Sequence, residues 1–249
     1  MIFYSPLGKD IEVGCLFRFL LITVHSLLIT VFTGEINSMY QIVGDLHIHS
    51  IVSGHAFSTI REIAMVAQQK NLQYIGLAEH GPSMPGGPAP IYFEARGHFP
   101  KKIDNIELFF GAEIDILDEN STLDLDNQSL KKIDFGIVSF HPQVYRGEIR
   151  SDYTSILIKA LENTYINIIA HLGNPRYPVN NPLVVEKAVE FNQVIEINNS
   201  SFGVSRKGSL ENCKMIAQEV KKQGGYIIVT SDAHYCEEVG DYQLALNLL

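Results

Sequence analysis

The sequence predicts an α/β fold in which parallel strands and helices alternate and the strands curl into a (β/α)7 barrel. Two observations carry this. From residue 40 onward, short apolar runs rich in β-branched and aromatic residues alternate with amphipathic segments. No G-x-G-x-x-G or P-loop pattern follows any of the runs, which favours a barrel over an open nucleotide-binding sheet.

The strands are expected at 41–49 (QIVGDLHIH), 74–80 (YIGLAEH), 106–117 (IELFFGAEIDIL), 135–141 (FGIVSFH), 166–172 (INIIAHL), 194–200 (VIEINNS) and 226–234 (YIIVTSDAH). Each is short and apolar on both faces, as strands covered on both sides are. Helices are expected where caps and a 3.6-residue period coincide. STIREIAMVAQQKN opens on a Ser/Thr cap and places Ile60, Ile63, Ala64 and Ala67 on one face. DYTSILIKALEN, NPLVVEKAVEFN and SLENCKMIAQEVKKQGG follow the same logic, the last closing on Gly224 and Gly225. DENSTLDLDNQ (118–128) lacks the turn glycine and distal glutamate of a calcium loop and reads as a solvated hairpin.

Residues 1–38 form a hydrophobic N-terminal extension. Its core, CLFRFLLITVHSLLITVF (15–32), is long enough for a membrane span or signal region. Arg18 inside it would cost about 2.5–3.5 kcal/mol near mid-bilayer, and no A-x-A-like cleavage site follows. The preferred reading is a spurious start, with translation beginning at Met39 and a cytoplasmic product; a genuine membrane anchor is the alternative.

Composition narrows the function. With 249 residues, 46% of them apolar, the chain can bury a substantial core, and a net charge of −9 without a basic run argues against nucleic acid as a partner. Cys15, Cys213 and Cys236 form no CxxC pair, which disfavours a disulfide framework or a thiolate metal site.

The histidines are the signal. His47, His49, His80, His141, His171 and His234 all fall at the ends of expected strands, with Glu113 in the third and Asp232 in the last. In a parallel barrel those ends open onto one face. A lone histidine is more often a surface or hydrogen-bonded core residue than a ligand, as His25 and His98, which end no strand, illustrate, and Glu113 or Asp232 alone reads as a helix cap or salt-bridged carboxylate. Six histidines repeating one topological position do not fit that description. In His-x-His both imidazoles project to one side of a strand and can share an ion, and nitrogen and carboxylate donors without thiolate suit zinc, manganese or iron.

Taken in order, DLHIHS, AEHG, GAEID, SFH, AHLGNPRY, EINNSSF and SDAH resemble the polymerase-and-histidinol-phosphatase (PHP) superfamily, in particular its small stand-alone bacterial phosphatases. The resemblance covers residues 40–249 and implies a distorted (β/α)7 TIM-like barrel with three divalent metal ions, zinc preferred. It implies one ion held by His47, His49, Glu113 and Asp232, and a second sharing Glu113 with His141 and His171. The third falls to His55, His80 and His234, and Glu113, Asp232 and His234 form the catalytic set. Two departures stand out. AEH replaces the commoner TDH, so Glu79 takes the place of an aspartate. The chain also stops at DYQLALNLL, where such relatives continue for a strand and helix, so the barrel is expected to be short of its last unit with an exposed strand edge.

The implied reaction is hydrolysis of a small phosphomonoester by a metal-bound hydroxide, without a protein nucleophile or a G-x-S-x-G elbow. Arg206 is the expected phosphate clamp, Asn174, Arg176, Asn198 and Asn199 are mouth residues, and Asp45 orients a ligating histidine. The alternatives are a phosphodiesterase or exonuclease activity, and a metal-binding module whose shortened barrel no longer catalyses. Membrane association is expected only through residues 15–32, and the oligomeric state is left open.

Overall fold

A computed structural model describes residues 42–149 and 151–249. The reading of residues 15–32 as an anchor or a spurious extension lies outside the described residues. Among those described, no helix is long and apolar enough to cross a membrane.

Eight strands form one sheet: β1 (Gly44–Ile48), β2 (Tyr74–His80), β3 (Lys102–Ile103), β4 (Ile106–Asp115), β5 (Phe135–Ser139), β6 (Ile166–Ile169), β7 (Val194–Asn198) and β8 (Tyr226–Thr230). The order is β1-β2-β4-β5-β6-β7-β8, all parallel, and β3 is a two-residue antiparallel addition to β4 that no sequence period announces. The helices are α1 (Ile60–Gln69), α2 (Pro90–Glu94), α3 (Asn127–Leu130), α4 (Tyr153–Leu161), α5 (Asn181–Glu190), α6 (Ser209–Gln223) and α7 (Gln243–Leu246). The four longer ones are those the sequence predicts. Helix α1 starts in a capping box between Thr59 and Glu62, and α6 ends on Gly224 at φ 73°, a left-handed position that glycine adopts without strain.

Inward positions along each strand change from apolar to polar. Leu46, Ala78, Phe135, Ile137, Ile168, Val194 and Ile228 fill the barrel, and His80, Glu113, Ser139, Glu196 and Thr230 follow towards the strand ends. Gly76 and Gly111 are dictated by this filling, since a Cβ on either would lie 2.7 or 2.3 Å from the Phe135 ring. The helices cover the outer face through a second apolar layer that includes Ile114, Val138, Leu157, Val184, Ile216 and Val229.

The expected open edge is bridged. Ile48 pairs with Ala233 across the gap between β1 and β8, and His49 N–H donates to the Ala233 carbonyl at 2.9 Å. Buried Asp45 accepts from Ser231 Oγ at 2.5 Å and from the Gly240 N–H at 3.1 Å, while Tyr242 Oη donates to the Gly44 carbonyl at 3.0 Å. The last residues of the chain therefore cover the seam.

Residues 118–128 do form a hairpin, closed by the Ile116–Leu123 bridge and by Asp118, which accepts from the N–H groups of Asn120 and Thr122. It is less solvated than expected. Asp124 turns inward to accept from the N–H groups of Asp115 (2.9 Å) and Ser83 (3.2 Å), and burial together with the Asp115 charge pushes its carboxyl up to about 7.

Candidate metal centre

The polar ends of the strands converge. Glu113 sits at the middle: Oε2 lies 3.0 Å from His80 Nδ1, 3.4 Å from His47 Nε2 and 3.5 Å from His49 Nε2, and Oε1 lies 3.0 Å from His171 Nε2 and 3.5 Å from His141 Nε2. Asp232 Oδ1 faces His49 Nε2 at 3.3 Å and His47 Nε2 at 3.5 Å. His55 Nε2 and His234 Nε2 are 3.2 Å apart, and the His55 ring stacks on His80, which stacks in turn on His49. All nine residues expected as ligands from the sequence are thus brought together.

The strand ends are shaped for this. His80 and Glu113 are register partners on β2 and β4. A register shift between Asp45 and Ile48 re-aims β1 at His47. His141, His171, Asp232 and His234 were expected within strands but lie just beyond β5, β6 and β8, where the ladders stop. His171 (φ 29°) and Asp232 (φ 58°) are left-handed non-glycine residues, a conformation that ends strand pairing and collects at functional sites.

Hydrogen bonds behind the rings fix which nitrogen faces inward. His47 Nδ1–H donates to Glu196 Oε1 at 2.6 Å, and His141 Nδ1–H to Asp115 Oδ1 at 2.9 Å. His49 Nδ1–H donates to Ser53 Oγ at 3.2 Å, whose own hydroxyl donates to Glu79 Oε2 at 2.6 Å; His234 Nδ1–H donates to the Asp232 carbonyl at 3.0 Å. Each of these rings turns its Nε2 towards the centre, the arrangement in which a neutral imidazole binds metal.

Among the described residues, several inward atoms face one another but have no hydrogen-bond partner. His47 Nε2, His49 Nε2, both His80 nitrogens and Glu113 Oε2 are buried without a hydrogen bond. Leaving one such atom unsatisfied costs about 1–3 kcal/mol, so a ligand that satisfied the cluster would stabilise the fold. Metal-compatible groupings recur in the same place: His47/His49/Asp232, Glu113/His141/His171, His49/His80/His234 and, with a carboxylate the sequence did not single out, His80/Asp115/His141.

Electrostatics separates the groups. Burial would raise the carboxyl of Glu113, yet His141, His47 and His80 hold it well below the usual range; Asp232 is held down in the same way by His47 and Arg206. Burial lowers His49, His55 and His171. His141 goes the other way: despite burial, Glu113 and Asp115 push it up to about 9.

Above the cluster opens a cleft of about 620 Å³, lined by His55, His80, His141, Asp232 and His234 on its floor and by Asn174, Arg176, Arg206 and Lys207 on its wall. Arg206 reaches the site but not as a free clamp. Both Nη atoms donate to Asp232 Oδ2 at 2.9 Å, joined there by Asn198 Nδ2 at 3.1 Å, which leaves Asp232 Oδ1 for the centre. Asn174 lines the cleft as expected. Asn199 does not: it is buried, its Oδ1 accepting from the Ala245 N–H at 3.0 Å. Asp45 holds the His47 backbone N–H at 3.3 Å rather than its ring, and His98 stands apart, exposed.

The sequence reading placed Glu79 behind the ligands but missed Glu196, Asp115 and Ser53 as groups that orient the rings. Period two was the available signal, since Glu196 shares a strand face with Asn198 and Asp115 with Glu113. Glu196 is saturated, accepting also from Thr230 Oγ1 at 2.6 Å and the His171 N–H at 2.7 Å.

A family model described as the PHP domain matches residues 45–227. The chain is similar to a probable phosphatase of Caldanaerobacter subterraneus, 45% identical over 210 residues that cover 84% of this chain and 83% of that one. It is similar also to a probable phosphatase of Clostridium botulinum, 44% identical over 205 residues covering 82% and 84%. Its fold is like that of the histidinol phosphate phosphatase of Lactococcus lactis, solved in complex with zinc, L-histidinol and phosphate. That likeness has a TM-score of 0.59 at 18% identity and covers 84% of this chain and 93% of that one.

Proposed function

The chain belongs to the PHP domain family, and from that membership we propose that it is a metal-dependent phosphatase that hydrolyses a small phosphomonoester. The observation that carries the reading is the set of buried, unpartnered donor atoms on His47, His49, His80 and Glu113 beneath an open cleft. The probable phosphatases it resembles, and the zinc and phosphate held by the Lactococcus lactis protein, support the same assignment.

In this reading His47, His49, Glu113 and Asp232 hold one divalent ion, Glu113, His141 and His171 a second, and His55, His80 and His234 a third. Zinc is favoured, and the thiolate-free donor set also suits manganese or iron. Ions so held would supply Lewis-acid polarisation of phosphoryl oxygen and an acidified water. The chain's own part is positional. Glu113 would contribute to two of the ion positions. Glu196, Asp115 and Ser53 fix the tautomers of His47, His141 and His49 before any substrate arrives. Arg206 anchors Asp232 and brings its remaining N–H groups to the cleft wall, where a phosphoryl oxygen can accept them. Asn174 adds a neutral polar contact on that wall.

Elemental analysis of the purified chain, paired with hydrolysis of p-nitrophenyl phosphate before and after chelation, tests this. About three ions per chain and hydrolysis that chelation abolishes and zinc restores are expected. Folded, freshly prepared protein that binds no divalent ion would overturn it.

A further inference from the structure

We propose that the leaving group of the ester carries a negative charge of its own, and that Arg176 and Lys207 receive it. This rests on the phosphatase reading and names the substrate class for that site. The cleft is several times larger than a phosphoryl group needs, so most of it accommodates the alcohol. In a chain of net charge −9, its wall nonetheless carries Arg176, Arg206 and Lys207, on the loops that follow β6 and β7.

These cations are not equivalent. The Arg206 fork is committed to Asp232. Neither Arg176 nor Lys207 forms an ion pair among the described residues, where the lysines and the other arginine that do so lie elsewhere. Among the described residues the two acids of the lining, Asp232 and Glu238, form an ion pair with neither. Asp232 is held by Arg206, and Glu238 Oε2 already accepts from the N–H groups of His234 (3.0 Å) and Tyr235 (3.2 Å). A carboxylate or second phosphate on the alcohol would find two cations without an ion pair, Arg176 sharing its guanidinium with the neutral Tyr177 hydroxyl. An alcohol bearing an ammonium group, such as the L-histidinol bound by the Lactococcus lactis protein, would meet the same two charges against the single carboxylate of Glu238. Opposite charge attracts across this wall and like charge is rejected, the way a cleft discriminates between ligands of similar size.

The experiment compares kcat/KM of the zinc-loaded chain for 3-phosphoglycerate, glycerol 1-phosphate and phosphoethanolamine, whose alcohols are acidic, neutral and cationic. Rates should fall in that order. Arg176→Gln and Lys207→Gln should each reduce the ratio of the first to the last by about threefold, mainly through KM, and added salt should do the same, as exposed charges are screened. A flat or reversed order, or variants that leave the ratio as it was, would overturn the proposal. If no ester is hydrolysed, the phosphatase reading fails on its own, and the cleft is judged by thermal shift. Greater protection by 3-phosphoglycerate than by glycerol 1-phosphate, lost in the double variant, supports the acidic subsite; equal protection by the two overturns it.

Discussion

The β2–β4 ladder and the gap between β1 and β8 hold the barrel together by different means. From Tyr74↔Glu107 to His80↔Glu113, β2 and β4 pair without interruption, so that His80 and Glu113 are placed by an unbroken ladder. Between β1 and β8 there is a single bridge, Ile48↔Ala233, and buried side chains do the rest: Asp45 with Ser231 and Gly240, and Tyr242 with Gly44. The ladder sets position and leaves no freedom. A left-handed turn at Asp232 on the seam, with a register shift between Asp45 and Ile48 where β1 pairs β2, lets His47, His49, Asp232 and His234 approach one point from two sides. Regular pairing supplies the frame, and its interruption supplies the geometry.

This contrast can be broken at either end. The largest effect is expected where the two meet: Glu113→Gln should reduce hydrolysis by about a thousandfold or more and remove two of the three proposed ions, as read by steady-state assay and elemental analysis. On the ladder side, Ile137→Ala empties a fully buried position in the barrel interior and should cost about 2–5 kcal/mol in denaturant unfolding, with metal content unchanged. Proton competition gives the next. In the metal-free chain His141 keeps its proton up to about pH 9, so binding an ion at lower pH must displace it. Zinc affinity by competition titration should therefore rise about a hundredfold between neutrality and that value.

On the seam side, Asp45→Asn weakens an acceptor shared by Ser231, Gly240 and His47 and should cost about 1–3 kcal/mol. Unlike Ile137→Ala, it should also lower zinc affinity, because its partners adjoin Asp232 and include His47. Loss of stability with full metal affinity would mean that the seam does not position the ligands. The smallest effect is far from both regions: Thr59→Ala removes the α1 cap and should cost about 1 kcal/mol without touching metal.

What the sequence made legible follows the same division. The seven long-range strands could be read because apolar β-branched runs are buried on both faces, and the ligands because histidine is rare at such positions and recurs there. The sequence did not show where each ladder stops. INIIAHL reads as one run, yet the left-handed backbone at His171 ends pairing at Ile169, and that turn is set by contacts with Glu196 and Glu113 from other strands. Glu196 was passed over because one acid in VIEIN is equally compatible with an exposed or an inward position until the register is known. Asn199 was misplaced for a related reason: adjacent to Asn198, it faces the opposite way, towards Ala245. The exposed edge inferred from the last residues did not anticipate that Tyr242 would fold back over β1.

The Phe135 ring, lodged where Gly76 and Gly111 leave it room, stoppers the far end of the barrel. Reactant and both products must then share one doorway, on the proposed reading of the site. Inorganic phosphate released deepest, nearest the histidines, has to retrace the path by which the next ester arrives, so accumulated phosphate should inhibit competitively and turnover should slow as the reaction proceeds.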